Sequence, residues 1–144
     1  VAGVWHDGVM FNNESILRSI ARRVFPDMGA FSADGRAGAG PWDADLCVCD
    51  EAAWLTVGPG RDFLFRIEVR GSHVRATYAL PAVVTRADGA TEPGTAWAGS
   101  RRWCVDGWSD VARASVEIKE FFDNSDEFLE AEKGVRGIIN GGRA

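Results

Sequence analysis

The chain has 144 residues, of which 46% are hydrophobic, 26% charged and 10% aromatic, and its formal net charge is -5. This composition excludes collagen-like, low-complexity and disordered chains, and the acidic balance argues against nucleic-acid or anionic-membrane partners. No apolar run approaches the roughly 20 residues that cross a bilayer, and no secretory leader is visible. We therefore expect a single cytoplasmic domain over residues 1–144, with the chain fraying after residue 135.

The N-terminal part of the chain predicts a short strand and one amphipathic helix. Residues 1–11 are mostly apolar and favour a strand, and Asn12–Asn13 can cap a helix that starts there. Pro26 ends this helix, because a proline pushes the preceding residue out of helical geometry. We predict a helix over residues 13–25 and an irregular, glycine-rich loop over residues 29–42. The apolar face of the helix consists of Ile16, Leu17, Ile20, Ala21 and Val24.

The middle of the chain carries the strand signals. Apolar residues recur at every second position from Phe63 to Val69, and the alternation resumes with Val74 after Gly71–Ser72. A two-residue Gly-Ser loop suits a tight hairpin, and the register that it fixes places Glu68 opposite Arg75. The predicted strands cover residues 45–49, 53–57, 63–70, 74–80, 82–87 and 95–105.

The C-terminal part of the chain predicts two helices. Ser109 can cap the first, and Ser125, followed by two acidic residues, can begin the second, which Gly134 would end. The order of elements predicts an α+β fold. In this fold a curved, mostly antiparallel sheet of five or six strands has the N-terminal helix and the C-terminal helices packed on one face.

Six tryptophans are the least ordinary feature of the composition. In an extended strand over residues 95–105, Trp97, Arg101 and Trp103 share one face, beside a gap left by Gly99. A guanidinium between two indoles can hold a flat or anionic ligand by stacking and charge. The leading prediction is therefore a non-catalytic binding domain with an aromatic-lined pocket. The predicted ligand-binding residues are Trp54, Trp97, Arg101 and Trp103.

A second interpretation of the same residues involves no ligand. In this alternative, the indoles fill the core against the helices. Arg101 then lies at the sheet margin, with its stem packed and its charged head in water.

The cysteine count predicts reduced thiols, because the chain has three cysteines and no visible secretory leader. Cys47 and Cys49 would share one face of a strand, and with Cys104 and His73 they form a set chemically adequate for tetrahedral zinc. However, the Cys-x-Cys spacing differs from that of zinc knuckles, and free cysteines are often small core residues. We therefore expect no metal and no cofactor.

Known catalytic motifs are absent from the sequence, which has no nucleophile elbow, phosphate-binding loop, zinc-protease motif or dinucleotide fingerprint. His73 is predicted to be exposed beside the hairpin turn. A small hydrolase or isomerase would have to use His6 as its acid or base, with Asp7 or Asp45 as the carboxylate. This enzyme is the third functional hypothesis.

The charge distribution suggests the second functional hypothesis, a module that binds a basic protein partner. Residues 106–132 contain nine acidic residues against two basic ones, Arg113 and Lys119. An acidic helical face can attract a basic protein and speed its capture, as in an immunity-type or inhibitor-type protein. The predicted contact residues of this partner module are Glu117, Glu120, Asp123, Glu127 and Glu130.

Overall fold

A computed structural model describes the backbone of residues 4–6, 9–40, 42–58 and 63–140. Side chains are described for residues 10–40, 42–58, 63–80, 82–94, 96 and 98–125. The elements in chain order are β1 (Val4–His6), β2 (Val9–Phe11), α1 (Asn13–Val24), β3 (Arg36–Ala39), β4 (Trp42–Val48), β5 (Ala53–Gly58), β6 (Phe65–Arg70), β7 (His73–Thr85), β8 (Thr91–Cys104) and α2 (Trp108–Asn140).

Helix α1 begins with a capping box, and its predicted extent is confirmed to within one residue. The Asn12 side chain accepts a hydrogen bond from Ser15 N (2.8 Å), and Ser15 Oγ accepts one from Asn12 N (3.1 Å). Phe25 caps the C-terminal end, directly before Pro26. The five residues of the predicted apolar face are all at most 6% exposed, so the helix is held mainly by burial of this face.

Strands β3 to β8 form one antiparallel sheet in which strands that follow each other in sequence are neighbours. The β6–β7 hairpin has the predicted register, with Arg70 opposite His73 and Glu68 opposite Arg75. The hydrophobic alternation and the turn specify the same pairing independently, which explains why this register follows from the sequence.

The stretch predicted as an irregular loop contains strand β3, so that prediction is wrong for residues 36–39. Leu46 N of β4 donates to the Gly35 carbonyl (2.7 Å), and Gly29 N donates to the Gly38 carbonyl (2.9 Å). Gly35 has a φ of 81°, a conformation that glycine adopts without strain. Hairpin pairing with β4, which begins three residues after the end of β3, makes this edge strand.

Strand β7 continues through Pro81, although the sequence predicts separate strands over residues 74–80 and 82–87. Ala79 N donates to the Leu64 carbonyl (2.8 Å), just before the start of β6. The nitrogen two residues later belongs to Pro81 and points to the same side, beyond the start of β6. The absence of an N–H at Pro81 therefore removes no hydrogen bond between β6 and β7.

Strand β8 is extended, as predicted, but its pairing with β7 contains a register shift. Tyr78 lies opposite Gly99, whereas the next residue, Ala79, lies opposite Trp97, so Ala98 is an extra residue. The shift interrupts the two-residue alternation along β8 between Trp97 and Gly99.

Helix α2 is one continuous helix of 33 residues, so the predicted boundaries at Ser125 and Gly134 are wrong. Ser125 is buried inside the helix, where its Oγ donates to the Phe122 carbonyl (2.5 Å). A serine hydroxyl can cap a helix or donate to a carbonyl of the preceding turn within a helix. Ser125 does the second, so it does not begin a new helix.

The two helices cover one face of the sheet, called the inner face below. Helix α1 contacts β5 and β6, and α2 contacts α1 and β7. This is the predicted α+β architecture, with an antiparallel sheet and helices on one face. The buried strand residues of the inner face include Ala44, Leu46, Leu55, Val57, Phe65, Ile67, Val69, Val74 and Ala76.

Within the described ranges, no helix combines the length and the apolar character needed to cross a membrane.

Candidate ligand-binding site

The face of the sheet opposite the helices, called the open face below, carries the polar members of the strand alternation. Trp54 lies opposite Glu68, Glu68 opposite Arg75, and Arg75 opposite Arg102, so these residues form one row across four strands. Residues directly opposite each other in a sheet share a face. The residues of the open face used below are Trp54, Arg66, Glu68, Arg75, Thr77, Ser100 and Arg102.

A small cleft lies between β6 and β7 on the open face. Its volume is about 30 Å³, and it is lined by Arg66, Glu68, Arg75 and Thr77. Thr77 is only 2% exposed, so its hydroxyl lies at the base of the cleft. Ser100 Oγ lies 3.4 Å from Thr77 Oγ1 and accepts a hydrogen bond from Arg75 Nε (2.9 Å). These contacts hold the Arg75 guanidinium in a defined position above the sheet.

Trp54 adds a flat apolar surface next to this cleft. It alternates with the buried residues Ala53 and Leu55, and it is itself half-buried. The Arg66 Cζ atom lies 5.9 Å from the centroid of the Trp54 ring, which is within the range of cation–π interactions. Trp54 and Arg66 therefore form a contiguous aromatic and cationic surface.

The cleft has more positive than negative charge around it. Glu68 carboxylate oxygens lie 3.7 Å from Arg66 Nη2 and 3.7 Å from Arg70 Nε, at the long end of ion-pair distances. Arg102 lies opposite Arg75 in the register and adds a further positive charge. Because a single carboxylate is shared between two arginines, the local field favours an anion.

Two of the four predicted ligand-binding residues, Arg101 and Trp103, lie together on the inner face. The Arg101 Cζ atom is 5.0 Å from the Trp103 ring centroid, and Arg101 Nη2 is 3.1 Å from Glu117 Oε1 on α2. Trp103 also packs against Phe121 of α2, with ring centroids 6.3 Å apart. Helix α2 therefore lies over this position and supplies the guanidinium with a carboxylate partner.

The gap predicted beside Gly99 is filled by Tyr78. A Cβ atom built on Gly99 would lie 2.5 Å from Tyr78 Cε1. The Tyr78 ring in turn packs against Phe121, with centroids 5.2 Å apart. The side-chain-free space at Gly99 therefore accommodates a ring of the protein itself.

The other two predicted tryptophans are placed differently. Trp54 is separated from Arg101 and Trp103 by the sheet, because it lies on the open face. Trp97 lies opposite Ala79, beyond the register shift, and its side chain lies outside the described residues. The alternation that grouped Trp97 with Arg101 therefore does not hold across the shift.

The four candidate zinc ligands are divided between two regions of the sheet. Cys104 Sγ lies 3.7 Å from His73 Nδ1, whereas Cys47 is in β4, four strand positions away from β8. Four spacings correspond to roughly 19 Å. Among the residues with described positions, no group of three or more His, Cys, Asp or Glu could hold a metal ion. All three cysteines, including Cys49, are exposed, so neither a shared site nor core thiols are observed.

The predicted acidic contact residues are partly engaged within the chain. Glu117 and Asp123 have basic partners at 3.1 and 3.8 Å, and Glu120 is exposed. The side chains of Glu127 and Glu130 lie outside the described residues.

The residues of the enzyme hypothesis are mostly outside the described part of the chain. This is the case for Asp7 and for the side chain of His6. Asp45 is described, and its Oδ1 lies 3.5 Å from Arg36 Nε.

A wider groove of about 630 Å³ lies at the β3 edge of the sheet, and its charged lining residues are Arg36, Asp43 and Asp45. A hydrogen bond from the Ser32 hydroxyl lowers the pKa of the neighbouring Asp34 carboxyl. The residues recorded around this groove include no aromatic side chain, and the carboxylates outnumber the single arginine. The groove is therefore less suited to a flat anion than the open face.

Comparisons with known protein families, with curated proteins and with solved structures found no match.

Arg66, Arg75 and Thr77 are not among the ligand-binding residues that the sequence predicts. A signal was present, because the predicted hairpin register already placed Glu68 and Arg75 together on the polar side. Periodicity shows which residues share a face of a strand. It does not show which face of the sheet the helices will cover and which will stay open.

Proposed function

We propose that the protein is a non-catalytic binding domain for a small, flat, anionic ligand, held on the open face by Trp54, Arg66 and Arg75. The observation that carries this proposal is the cleft in which two guanidinium groups flank the buried hydroxyl of Thr77 beside an indole. The predicted class of ligand is kept, and its position is moved from the inner face to the open face. A cytoplasmic location remains part of the proposal.

The chemistry of the cleft fits a carboxylate or phosphate group. Arginine presents several N–H donors in a plane, which matches the two or three oxygens of such an anion. The Thr77 hydroxyl, which donates to Ser100 Oγ (3.4 Å), can turn its single proton to an anion in the cleft instead. A volume of about 30 Å³ accommodates the anionic group alone, so the rest of the ligand would extend over the sheet surface.

The aromatic surface explains why the ligand should be flat. Trp54 is half-buried, which fixes the indole against the sheet and leaves part of the ring accessible. Stacking of a planar ring on an aromatic side chain contributes about 1–3 kcal/mol. Stacking and anion binding together favour a ligand that is both flat and anionic over one that has only one of these properties.

Isothermal titration with naphthalene-2-carboxylate at low ionic strength tests this function, with naphthalene-2-carboxamide as the neutral analogue. We expect the carboxylate to bind and the amide to bind at least tenfold more weakly. Arg75→Gln should weaken carboxylate binding about tenfold, since a hydrogen bond to a charged group contributes roughly 1.5–3 kcal/mol.

Two arginines serve as matched controls for this titration. Arg102→Gln removes the same charge from the neighbouring strand of the same row and should change the affinity less than about threefold, as expected for a more distant charge. Arg101→Gln removes the guanidinium of the inner face and should leave the affinity unchanged. No binding to the native protein, or loss of binding only in Arg101→Gln, would overturn the proposed position.

A further inference from the structure

The first residue of β7 and the last residue of β8 place a thiol beside an imidazole. His73 and Cys104 are directly opposite each other in the ladder, and Cys104 Sγ lies 3.7 Å from His73 Nδ1. Both side chains are exposed. The pair lies at one end of the open face and is distinct from the cleft.

The backbone holds this pair in a defined position. Val105 N donates to the Ser72 carbonyl (2.8 Å), which extends the pairing of the two strands beyond Cys104. Gly71 N, in the turn before β7, donates to Asn13 Oδ1 of α1 (2.9 Å). The thiol and the imidazole are therefore attached to strand ends that are fixed on both sides.

We propose that Cys104 is a reactive thiol, activated by His73, that undergoes thiol–disulfide exchange with anionic low-molecular-weight disulfides. An imidazole within hydrogen-bond distance can accept the proton of a thiol, and the thiolate is the nucleophilic form. This proposal does not depend on the proposed ligand of the cleft.

The nearby charges favour an anionic partner. Arg70 is the register partner of His73, and Arg102 lies two residues before Cys104 on the same face of β8. Arg70 is shared between two carboxylates, Glu51 (3.5 Å) and Glu68 (3.7 Å), so Arg102 is the main source of positive charge here. Its guanidinium attracts a carboxylate-bearing disulfide to this end of the open face.

The other two cysteines provide an internal comparison. Cys47 and Cys49 are equally classed as exposed, but neither has an imidazole partner among the described side chains. Cys49 is followed directly by Asp50 and Glu51. These carboxylates repel an anionic disulfide, so exposure alone does not make these thiols equivalent to Cys104.

The proposed reaction needs only the protein and the disulfide, with no further oxidant or reductant. The Cys104 proton moves to His73 Nδ1, and the thiolate sulfur attacks one sulfur of the disulfide. A new S–S bond forms as the old one breaks, and the second sulfur leaves as a thiolate. Cys104 is thereby oxidised to a mixed disulfide, and the leaving half of the reagent is reduced.

The test uses dithiobis(nitrobenzoate), a disulfide with two carboxylates, and measures the rate of release of the coloured thiolate. In the double variant Cys47→Ser/Cys49→Ser, only Cys104 remains, and in Cys104→Ser only the other two thiols remain. We expect the Cys104-only protein to react at least tenfold faster than the two thiols of Cys104→Ser. His73→Gln in the Cys104-only protein should lower the rate about tenfold.

Two further measurements complete the test: the rate of an arginine variant and a check that the His73 variant is folded. Arg70→Gln/Arg102→Gln in the Cys104-only protein should lower the rate about threefold at low salt and less at high salt. His73 is exposed, so its replacement should not unfold the chain, and circular dichroism checks this. Equal rates for the three cysteines, or an unchanged rate in a folded His73→Gln variant, would overturn the activation of Cys104. An unchanged rate in the arginine variant would overturn the preference for anionic disulfides.

Discussion

At the scale of single residues, the contact between Gly99 and Tyr78 explains why the predicted inner-face pocket is filled. The strand pattern indicates a side-chain-free position between aromatic residues, and such a position suits a ligand or a ring of the protein equally well. The Tyr78 ring occupies it and packs against Phe121 of α2. Glycine is required here because of close approach of another side chain, not because of its backbone conformation.

Replacing Gly99 by alanine tests this contact. The added Cβ would lie 2.5 Å from Tyr78 Cε1, so the ring has to shift away from Phe121. We expect Gly99→Ala to lower the free energy of unfolding by about 1–3 kcal/mol, as overpacking of a filled site does. Urea denaturation measures the change.

The matched control for this substitution is Gly38→Ala in the edge strand β3. A Cβ at Gly38 has no neighbouring atom within 4 Å, so the substitution should change stability by less than about 0.5 kcal/mol. Equal stability changes in the two variants would contradict the account of Gly99.

The residue scale also shows how much of the candidate site could be predicted. The sequence places Arg101 and Trp103 on one face of an extended strand, and the structure has them together. The extra residue Ala98 could not be predicted from alternation, since a bulge depends on the partner strand. Trp54 alternates with buried residues, but the sequence does not tell which tryptophans share a face after folding.

At the scale of elements, the start of helix α1 links two turns of the sheet. Asn13 is 8% exposed, its Nδ2 donates to the Glu51 carbonyl (3.1 Å), and its Oδ1 accepts from Gly71 N (2.9 Å). The neighbouring Asn12 only caps its own helix. The sequence predicts a capping role for this asparagine pair, but the long-range bridge of Asn13 depends on the folded sheet.

Substitution of these two asparagines separates capping from bridging. Asn13→Ala leaves a carbonyl and an N–H without their partners, so we expect a loss of about 2–4 kcal/mol in the free energy of unfolding. Asn12→Ala removes an N-cap and should cost about 1 kcal/mol. Thermal and urea unfolding measure both. A smaller loss in Asn13→Ala than in Asn12→Ala would contradict the bridging role.

The boundaries of an element can be predicted from the sequence where a cap, a proline or a turn beside it determines them. Pro26 and the asparagine cap limit α1, and the Gly71–Ser72 turn limits the β6–β7 hairpin, as predicted. The sequence predicts breaks at Pro81 and Ser125, and both predictions are wrong. Pro81 is tolerated because its nitrogen lies beyond the start of β6, and Ser125 because its hydroxyl bonds to the Phe122 carbonyl within α2. Periodicity describes neither the partner strand nor the hydrogen bond.

At the scale of the whole molecule, the two faces of the sheet have different roles. The inner face packs against both helices and contains the core, whereas the open face presents Arg66, Arg75 and Arg102, together with Glu68, around Trp54 and the Thr77 cleft. Three arginines against one glutamate make this group locally positive, although the whole chain has a net charge of -5. We therefore expect anions to bind to this face despite the acidic balance of the chain.

The central claim, that the ligand site is on the open face, is tested most directly by mapping backbone and indole N–H resonances during titration with naphthalene-2-carboxylate. The account predicts shifts centred on Trp54, Arg66, Arg75 and Thr77 that weaken as salt increases. Shifts centred on Trp103 and Phe121 of the inner face, or no shifts at saturating carboxylate, would contradict it.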